Sequence, residues 1–356
     1  MFAYEKALIQ NCNHRQNYNL SHFISMQTPF QALVLTELEG KTQAQVQELT
    51  RTDLPPGDTL VAVSYSSLNY KDAMALTGKG KIVRQFPMVP GIDLVGTVVE
   101  CSSGVWKAGD AVVLTGWGVG ERFWGGYSQV QCVKSEWLTA LPKGMTALQS
   151  MTLGTAGLTA MLCVMALEAA ALPKGKILVT GASGGVGSVA LALLSRLGFE
   201  VTALTSRPEE NQDYLTKLGA TEVLGTAQWQ TKISPLAAQR WAGVVDVAGG
   251  AILAQALSEV HYGGAVAASG LAASVSLETT VLPFILRGVR LQGVDSVMCP
   301  QDKRTQAWER LATLCSADAY ADMQRIVGLT ALPALATEMM AGKAHGRVVV
   351  DLKAAP

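Results

Sequence analysis

Two rhythms of apolar and polar residues divide this chain. Up to about residue 150 the apolar residues come in short runs bounded by turn-forming residues: Gln31 to Leu38, then Asp58 to Ser66 after the turn Pro55-Pro56-Gly57, then Leu94 to Val99, Ala111 to Leu114 and Ser128 to Gln131. Runs of that length and punctuation predict strands, so the first part of the chain reads as mostly β. Beyond it, strand-length runs alternate with helix-length ones. Lys176 to Thr180 leads into a helical run from Val186 to Leu197. Glu200 to Leu204 precedes a helix near Glu209 to Leu218, Glu222 to Leu224 follows, Val244 to Ala248 precedes a helix near Ile252 to Val260, and Gly264 to Ser269 closes the series. This alternation predicts a doubly wound α/β fold, a parallel sheet covered by helices on both faces. Near the end, Arg347 to Leu352 reads as one more strand and is a candidate to rejoin the first lobe, which would make that lobe discontinuous.

Two segments depart from these rhythms. Met151 to Leu167 is uncharged and apolar, but it is short for a membrane span, contains Gly154 and Gly157, and runs straight into Glu168. It reads as a buried helix. Residues 1–26 mix Lys6, Asn11, His14, Arg15 and His22 with no continuous apolar core, so they do not read as a secretory signal. They are expected to be a disordered extension or the product of an upstream start codon.

Composition narrows the partners. With 356 residues, 49% of them hydrophobic and 16% charged, the chain has ample material for a core and is expected to form two lobes. Lys+Arg and Asp+Glu are equal at 28 each, which excludes the basic footprint of a nucleic-acid binder or a polybasic membrane anchor. The expected partner is a small molecule. The six cysteines include no C-x-x-C pair, which argues against a structural zinc lobe and a disulfide scaffold and leaves a cytoplasmic, reducing compartment as the expectation. The four histidines have no metal-binding spacing, and no Gly-x-Ser-x-Gly elbow is present.

The strongest chemical signal is Gly181-Ala182-Ser183-Gly184-Gly185-Val186-Gly187, which follows a predicted strand and opens a predicted helix. Glycines at 181, 184 and 187 suit a tight turn, a close approach of pyrophosphate to the backbone, and close packing of helix on sheet. The helix N-terminus offers its N–H groups to phosphate, so Ser183, Gly184, Gly185 and Val186 are candidate cofactor contacts. The end of the next strand decides between the two nicotinamide cofactors. Here it reads Thr205-Ser206-Arg207, with no carboxylate before Glu209. Hydroxyls and an arginine suit a 2′-phosphate, which favours NADPH over NADH.

With the turn placed, the chain from about residue 27 to 353 resembles the medium-chain dehydrogenase/reductase superfamily, and within it the zinc-independent, quinone-oxidoreductase-like branch of acrylyl-CoA reductases. The motifs that carry the resemblance are Ser66-Ser67-Leu68-Asn69-Tyr70-Lys71-Asp72, Pro90-Gly91-Ile92-Asp93, Leu114-Thr115-Gly116-Trp117-Gly118-Val119-Gly120, Gly154-Thr155-Ala156-Gly157, the glycine turn, and Leu291-Gln292-Gly293-Val294-Asp295-Ser296-Val297. The resemblance implies a GroES-like β-rich catalytic domain (27–152) completed by a C-terminal segment (287–356), with a Rossmann domain (153–286) between. It implies cofactor contacts at Tyr70, Leu271, Ile285, Ser296 and Arg347, and a homodimer. Zinc-dependent relatives carry cysteine, histidine and cysteine where this chain has Asn69, Ile92 and a position near Thr155, so the usual zinc site is not expected.

Without a Lewis acid the expected chemistry moves from alcohols to activated alkenes. The implied reaction is hydride transfer from NADPH to the β-carbon of acrylyl-CoA, giving propanoyl-CoA. The proton for the α-carbon comes from Tyr70 or from water, Tyr70 being positioned beside Asn69; packing of Tyr70 on the cofactor is the alternative. Lys71 and Asp72 are expected to pair or to orient the loop, and Asp93 to be a buried hydrogen-bonding carboxylate. Lys79, Lys81 and Arg84 are candidates for the phosphates of coenzyme A, against an ordinary solvated loop. The rival functions are NADPH:quinone reduction and non-catalytic NADPH binding.

Overall fold

The computed structural model describes residues 28–229, 234–315, 324–343 and 346–353, and the expectations for residues 1–26 lie outside them. A first hairpin pairs β1 (Phe30–Leu38) with β2 (Lys41–Leu49) in antiparallel register. It is followed by β3 (Thr59–Leu68), α1 (Tyr70–Leu76), β4 (Asp93–Cys101), β5 (Ala111–Thr115), β6 (Val130–Val133), β7 (Thr139–Ala140) and the long helix α2 (Ala147–Ala169). Next come β8 (Lys176–Thr180), α3 (Gly185–Arg196), β9 (Val201–Thr205), α4 (Pro208–Lys217), β10 (Glu222–Gly225), β11 (Trp241–Asp246), α5 (Gly250–Glu259), β12 (Val260–Ala268), α6 (Leu282–Arg287) and β13 (Arg290–Gly293). The chain closes with α7 (Gln301–Leu314), β14 (Gln324–Val327), α8 (Leu332–Met340) and β15 (Arg347–Asp351).

These strands form two large sheets. The first has the order β14-β15-β3-β4-β5-β7, with β6 also pairing β3. The second is parallel throughout, in the order β10-β9-β8-β11-β12-β13. Because β9 and β11 flank β8, the strand order reverses at β8. That leaves a crevice at the carboxyl ends of β8 and β11, where open α/β sheets bind ligands.

Strand β15 lies antiparallel to β3, with Val348 opposite Leu68. Its Val348 and Val350 join Leu33, Val61, Leu68, Leu94 and Leu114 in one buried cluster. Each such aliphatic side chain contributes about 1.5–3 kcal/mol when fully buried.

Helix α2 starts with a reciprocal cap: the Gln149 N–H donates to Thr146 Oγ1, and the Thr146 N–H to Gln149 Oε1. The helix is long and apolar enough to cross a membrane, yet 83% of its apolar window is buried inside the protein. It packs on α3 and α7 and touches both sheets. Its core unites Val95 and Val113 of the first sheet with Ile177, Val179 and Val245 of the second. The apolar run of α2 therefore reflects burial on every side.

Candidate active site

The turn between β8 and α3 opens into the crevice. Gly181 adopts φ 57°, and Gly187 approaches the turn so closely that a Cβ would lie 2.3 Å from the Gly181 carbonyl oxygen. Any side chain at 187 would push α3 off the turn. Gly184 caps α3, so the N–H groups of Gly185, Val186 and Gly187 start the helix without intrahelical acceptors. This cradle suits a pyrophosphate.

The end of β9 is tied to the turn. Thr205 is buried, its hydroxyl 3.1 Å from that of Ser183, and it accepts from the Arg207 N–H at 3.3 Å. Its side chain thus braces the turn from below, while exposed Ser206 and the guanidinium of Arg207 face outward. Arg207 pairs with Glu210 one turn along α4, at 3.4 Å. A 2′-phosphate approaching Arg207 would compete with that exposed carboxylate.

Across the crevice, the first sheet presents a buried polar cluster at the carboxyl end of β3. Asn69 caps α1, and Tyr70 is its first residue, 56% exposed. Asp72 accepts from the Asn69 N–H (2.9 Å) and Nδ2 (3.2 Å) at one oxygen and from the Ile92 N–H (2.9 Å) at the other. Burial, with the Asp93 charge adding to it, pushes the Asp72 carboxyl up to about 7. Lys71 pairs with Glu121 at 2.8 Å, so the expected pairing of Lys71 with Asp72 is replaced: Asp72 serves the helix start and Lys71 the neighbouring loop.

Asp93, fully buried, accepts from Ser67 Oγ (2.5 Å), Asn69 Nδ2 (2.9 Å), the Thr155 N–H (2.9 Å) and Thr155 Oγ1 (2.5 Å). The two bonds from Thr155 require a break in α2. Gly154 supplies it at φ 51°, ψ −151°, a conformation open essentially to glycine alone, and the helix restarts with the Thr155 N–H aimed at the carboxylate. Arg347, at the start of β15, is buried and donates to the Thr152 carbonyl (2.9 Å) and to Asn69 Oδ1 (3.1 Å). Burial lowers its pKa, while Asp93 and Asp72 oppose that. Its Nη1 lies 2.8 Å from where a Cβ on Gly185 would stand, so this one side chain joins the cluster to the glycine turn.

The donor set here does not fit zinc. The Asn69 amide is committed at both ends, Ile92 offers an alkyl group, and the Thr155 hydroxyl donates to Asp93. Next to this cluster, the Tyr70 side chain faces solvent.

The remaining candidates divide. Ser296 is buried and accepts at Oγ from Thr159 Oγ1 at 2.8 Å, while Leu271 and Ile285 are exposed. Lys79, Lys81 and Arg84 are exposed, and Arg84 stands beside the Lys71–Glu121 pair, its N–H donating to the Glu121 carbonyl at 2.9 Å. Sequence reasoning missed Thr159, Glu210 and Arg304. Thr159 was within reach, since Thr155 and Thr159 share one helix face at a spacing of four residues.

Comparison with known proteins gives a consistent likeness. A zinc-binding dehydrogenase family model matches residues 185–313, and an alcohol dehydrogenase GroES-like domain model matches 55–143. The chain is 51% identical over 330 residues to an acrylyl-CoA reductase of Ruegeria pomeroyi, covering 91% of this chain and 100% of that protein. It is 40% identical to a putative quinone oxidoreductase of Bacillus subtilis, covering 92% of this chain and 100% of that one. An oxidoreductase of Salmonella enterica solved in complex with NADP superposes with a TM-score of 0.89 at 50% identity, over 91% of this chain and 100% of its own.

Proposed function

Because this chain belongs to the acrylyl-CoA reductase family of the medium-chain dehydrogenase/reductase superfamily, we propose that it reduces the activated double bond of acrylyl-CoA to give propanoyl-CoA, with NADPH as reductant. The end-to-end match to an acrylyl-CoA reductase carries this reading. NADPH supplies the hydride for the β-carbon of the thioester. The thioester carbonyl takes up the resulting negative charge as an enolate, and a proton then reaches the α-carbon.

The residues divide that work as follows. Ser183, Gly184, Gly185 and Val186 hold the pyrophosphate at the start of α3. Ser206 and Arg207 receive the 2′-phosphate, with Thr205 bracing them through Ser183. Leu271, Ile285, Ser296 and Arg347 would also contact the cofactor, and Arg347 holds Asn69 beside the glycine turn. Tyr70 donates the proton or hydrogen-bonds the enolate. Its exposure supports this role, as does the commitment of Asn69, Thr155 and both buried carboxylates to one another.

A homodimer belongs to the same reading. Strand β13 ends the parallel sheet with all four residues exposed, beside exposed Leu286 and Met298, an edge and apolar surface suited to a second copy. The thiols Cys101, Cys132, Cys163 and Cys299 support a cytoplasmic setting.

Steady-state NADPH oxidation with acrylyl-CoA and with a small benzoquinone tests the function. The expected result is a higher kcat/KM for the thioester. A higher value for the quinone would move the assignment to quinone reduction, and NADPH binding without turnover of either would leave a non-catalytic binding protein.

A further inference from the structure

Arg304, on α7, is fully buried and has no carboxylate within ion-pair distance among the described residues. Its charge is instead taken up by neutral oxygens on two separate stretches of chain. Nη1 donates to the Thr115 carbonyl (2.7 Å) and Oγ1 (2.9 Å) at the end of β5. Nη2 donates to the carbonyls of Ser296 (3.1 Å), Val297 (3.2 Å) and Cys299 (3.4 Å) in the loop after β13. The planar fork of a guanidinium is what allows one side chain to serve both.

Both stretches lead to the site. Thr115 stands opposite Asp93 in the β4–β5 register, and the Gly116 N–H donates to the Ile92 carbonyl at 3.3 Å. Gly116, Trp117 and Gly118 all have positive φ, at 81°, 58° and 78°, a conformation a tryptophan adopts only when its surroundings impose it. Two contacts impose it here: the Trp117 N–H donates to the Val297 carbonyl at 3.0 Å, and its ring lies under the Arg304 guanidinium at 4.9 Å. On the other side, Asp295 folds the same loop by accepting from the N–H groups of Val297 (2.7 Å) and Met298 (3.3 Å). Loop 295–299 is thus gripped through its N–H groups by Asp295 and through its carbonyls by Arg304.

We infer that Arg304 is a positioning residue for NADPH, fixing the Ser296 loop of the parallel-sheet part against the Asp93-bearing strands of the first sheet. The inference rests on the reading that Ser296 borders the bound cofactor. Loss of the fork frees the loop to drift, so the cofactor meets Ser296 in several arrangements rather than one.

Arg304→Lys carries the test, because it keeps a cation in place but cannot bridge both stretches. NADPH affinity, read by fluorescence titration and independent of any substrate, is expected to weaken at least fivefold, with the KM for the enoyl-CoA within twofold of wild type. Circular dichroism at the assay temperature confirms folding. Should this variant fail to fold, Thr115→Val, which removes one acceptor, replaces it with an expected loss of at least twofold. Unchanged NADPH affinity in whichever folded variant is used overturns the proposal. Ser296→Val separates its premise: if that variant binds NADPH like wild type, Ser296 does not border the cofactor and the inference falls with that reading. If Ser296→Val weakens binding and Arg304→Lys does not, the reading stands and Arg304 is only structural.

Discussion

The hydroxyl of Thr155 and the carboxylate of Asp93 are joined by a 2.5 Å hydrogen bond that exists only because α2 is broken one residue earlier. A Cβ on Gly154 would lie 2.5 Å from Asp93 Oδ2 and 2.9 Å from Ser67 Oγ, in a backbone conformation that side chains resist. Gly154→Ala is therefore expected to destabilise the fold by about 3 kcal/mol or more. Urea unfolding monitored by tryptophan fluorescence measures this; a cost below about 1 kcal/mol would mean that the break is not needed.

Asp72 gives stability a pH dependence of defined sign. In the fold its carboxyl keeps its proton up to about pH 7, whereas in the unfolded chain it ionises near pH 4. The folded state binds more protons across that window, so the contribution is fully present below about pH 4 and is lost as pH rises through about 7. Asp72→Asn removes it. Between pH 4.5 and 7.5 the wild type should lose about 3 kcal/mol more than the variant, as read from urea midpoints.

Arg207→Ala should weaken NADPH about ten- to a hundredfold, the loss of a charged hydrogen bond, and leave NADH within twofold. Glu210→Gln should act in the opposite direction. It frees Arg207 from its 3.4 Å partner, and NADPH affinity should rise by about two- to threefold, in line with the small worth of an exposed ion pair. Equal losses for both cofactors in Arg207→Ala would remove this residue from 2′-phosphate recognition.

Tyr70→Phe distinguishes proton donation from packing. As a donor or enolate partner, the phenol should contribute about a hundredfold to kcat, with NADPH affinity unchanged. A variant with wild-type kcat would leave the ring a packing role and the proton to water.

Paired substitution of Leu286 and Leu291 by glutamate, next to and on β13, should convert a dimer to monomers in sedimentation velocity. A wild-type chain that sediments as a monomer at micromolar concentration would remove the dimer from the proposal.

The parallel sheet and its glycine turn were legible because each strand buried on both faces is a continuous apolar run, and each helix start carries glycine or proline. Strand β2 escaped because its partner is β1 alone and its face is only half-buried, leaving Lys41 to Leu49 too polar to stand out. Strand β13 has no buried residue at all, and α7 is largely polar, its buried face resting on Arg304, Ala307, Trp308 and Leu311. The site divided in the same way. Asn69, Asp93 and Thr155 were singled out by motif. That they bond to one another, with Arg347 closing the cluster, depends on contacts between residues far apart in sequence, which local pattern does not encode. Nothing in the local pattern of the polar helix α7 marks Arg304 as buried.

The bond from Arg347 to Asn69 joins residues 278 positions apart. During synthesis strands β3 to β7 of the first sheet, the glycine turn and the whole parallel sheet leave the ribosome before this contact can form. Until β15 arrives, β3 has an open edge from Tyr65 to Leu68, and its core lacks Val348 and Val350. A chain stopped even a few residues short of β15 is therefore not a slightly weakened enzyme but one with no braced site and an exposed strand edge. Such a product invites aggregation or degradation, so the order of synthesis couples completion of the chain to the onset of activity.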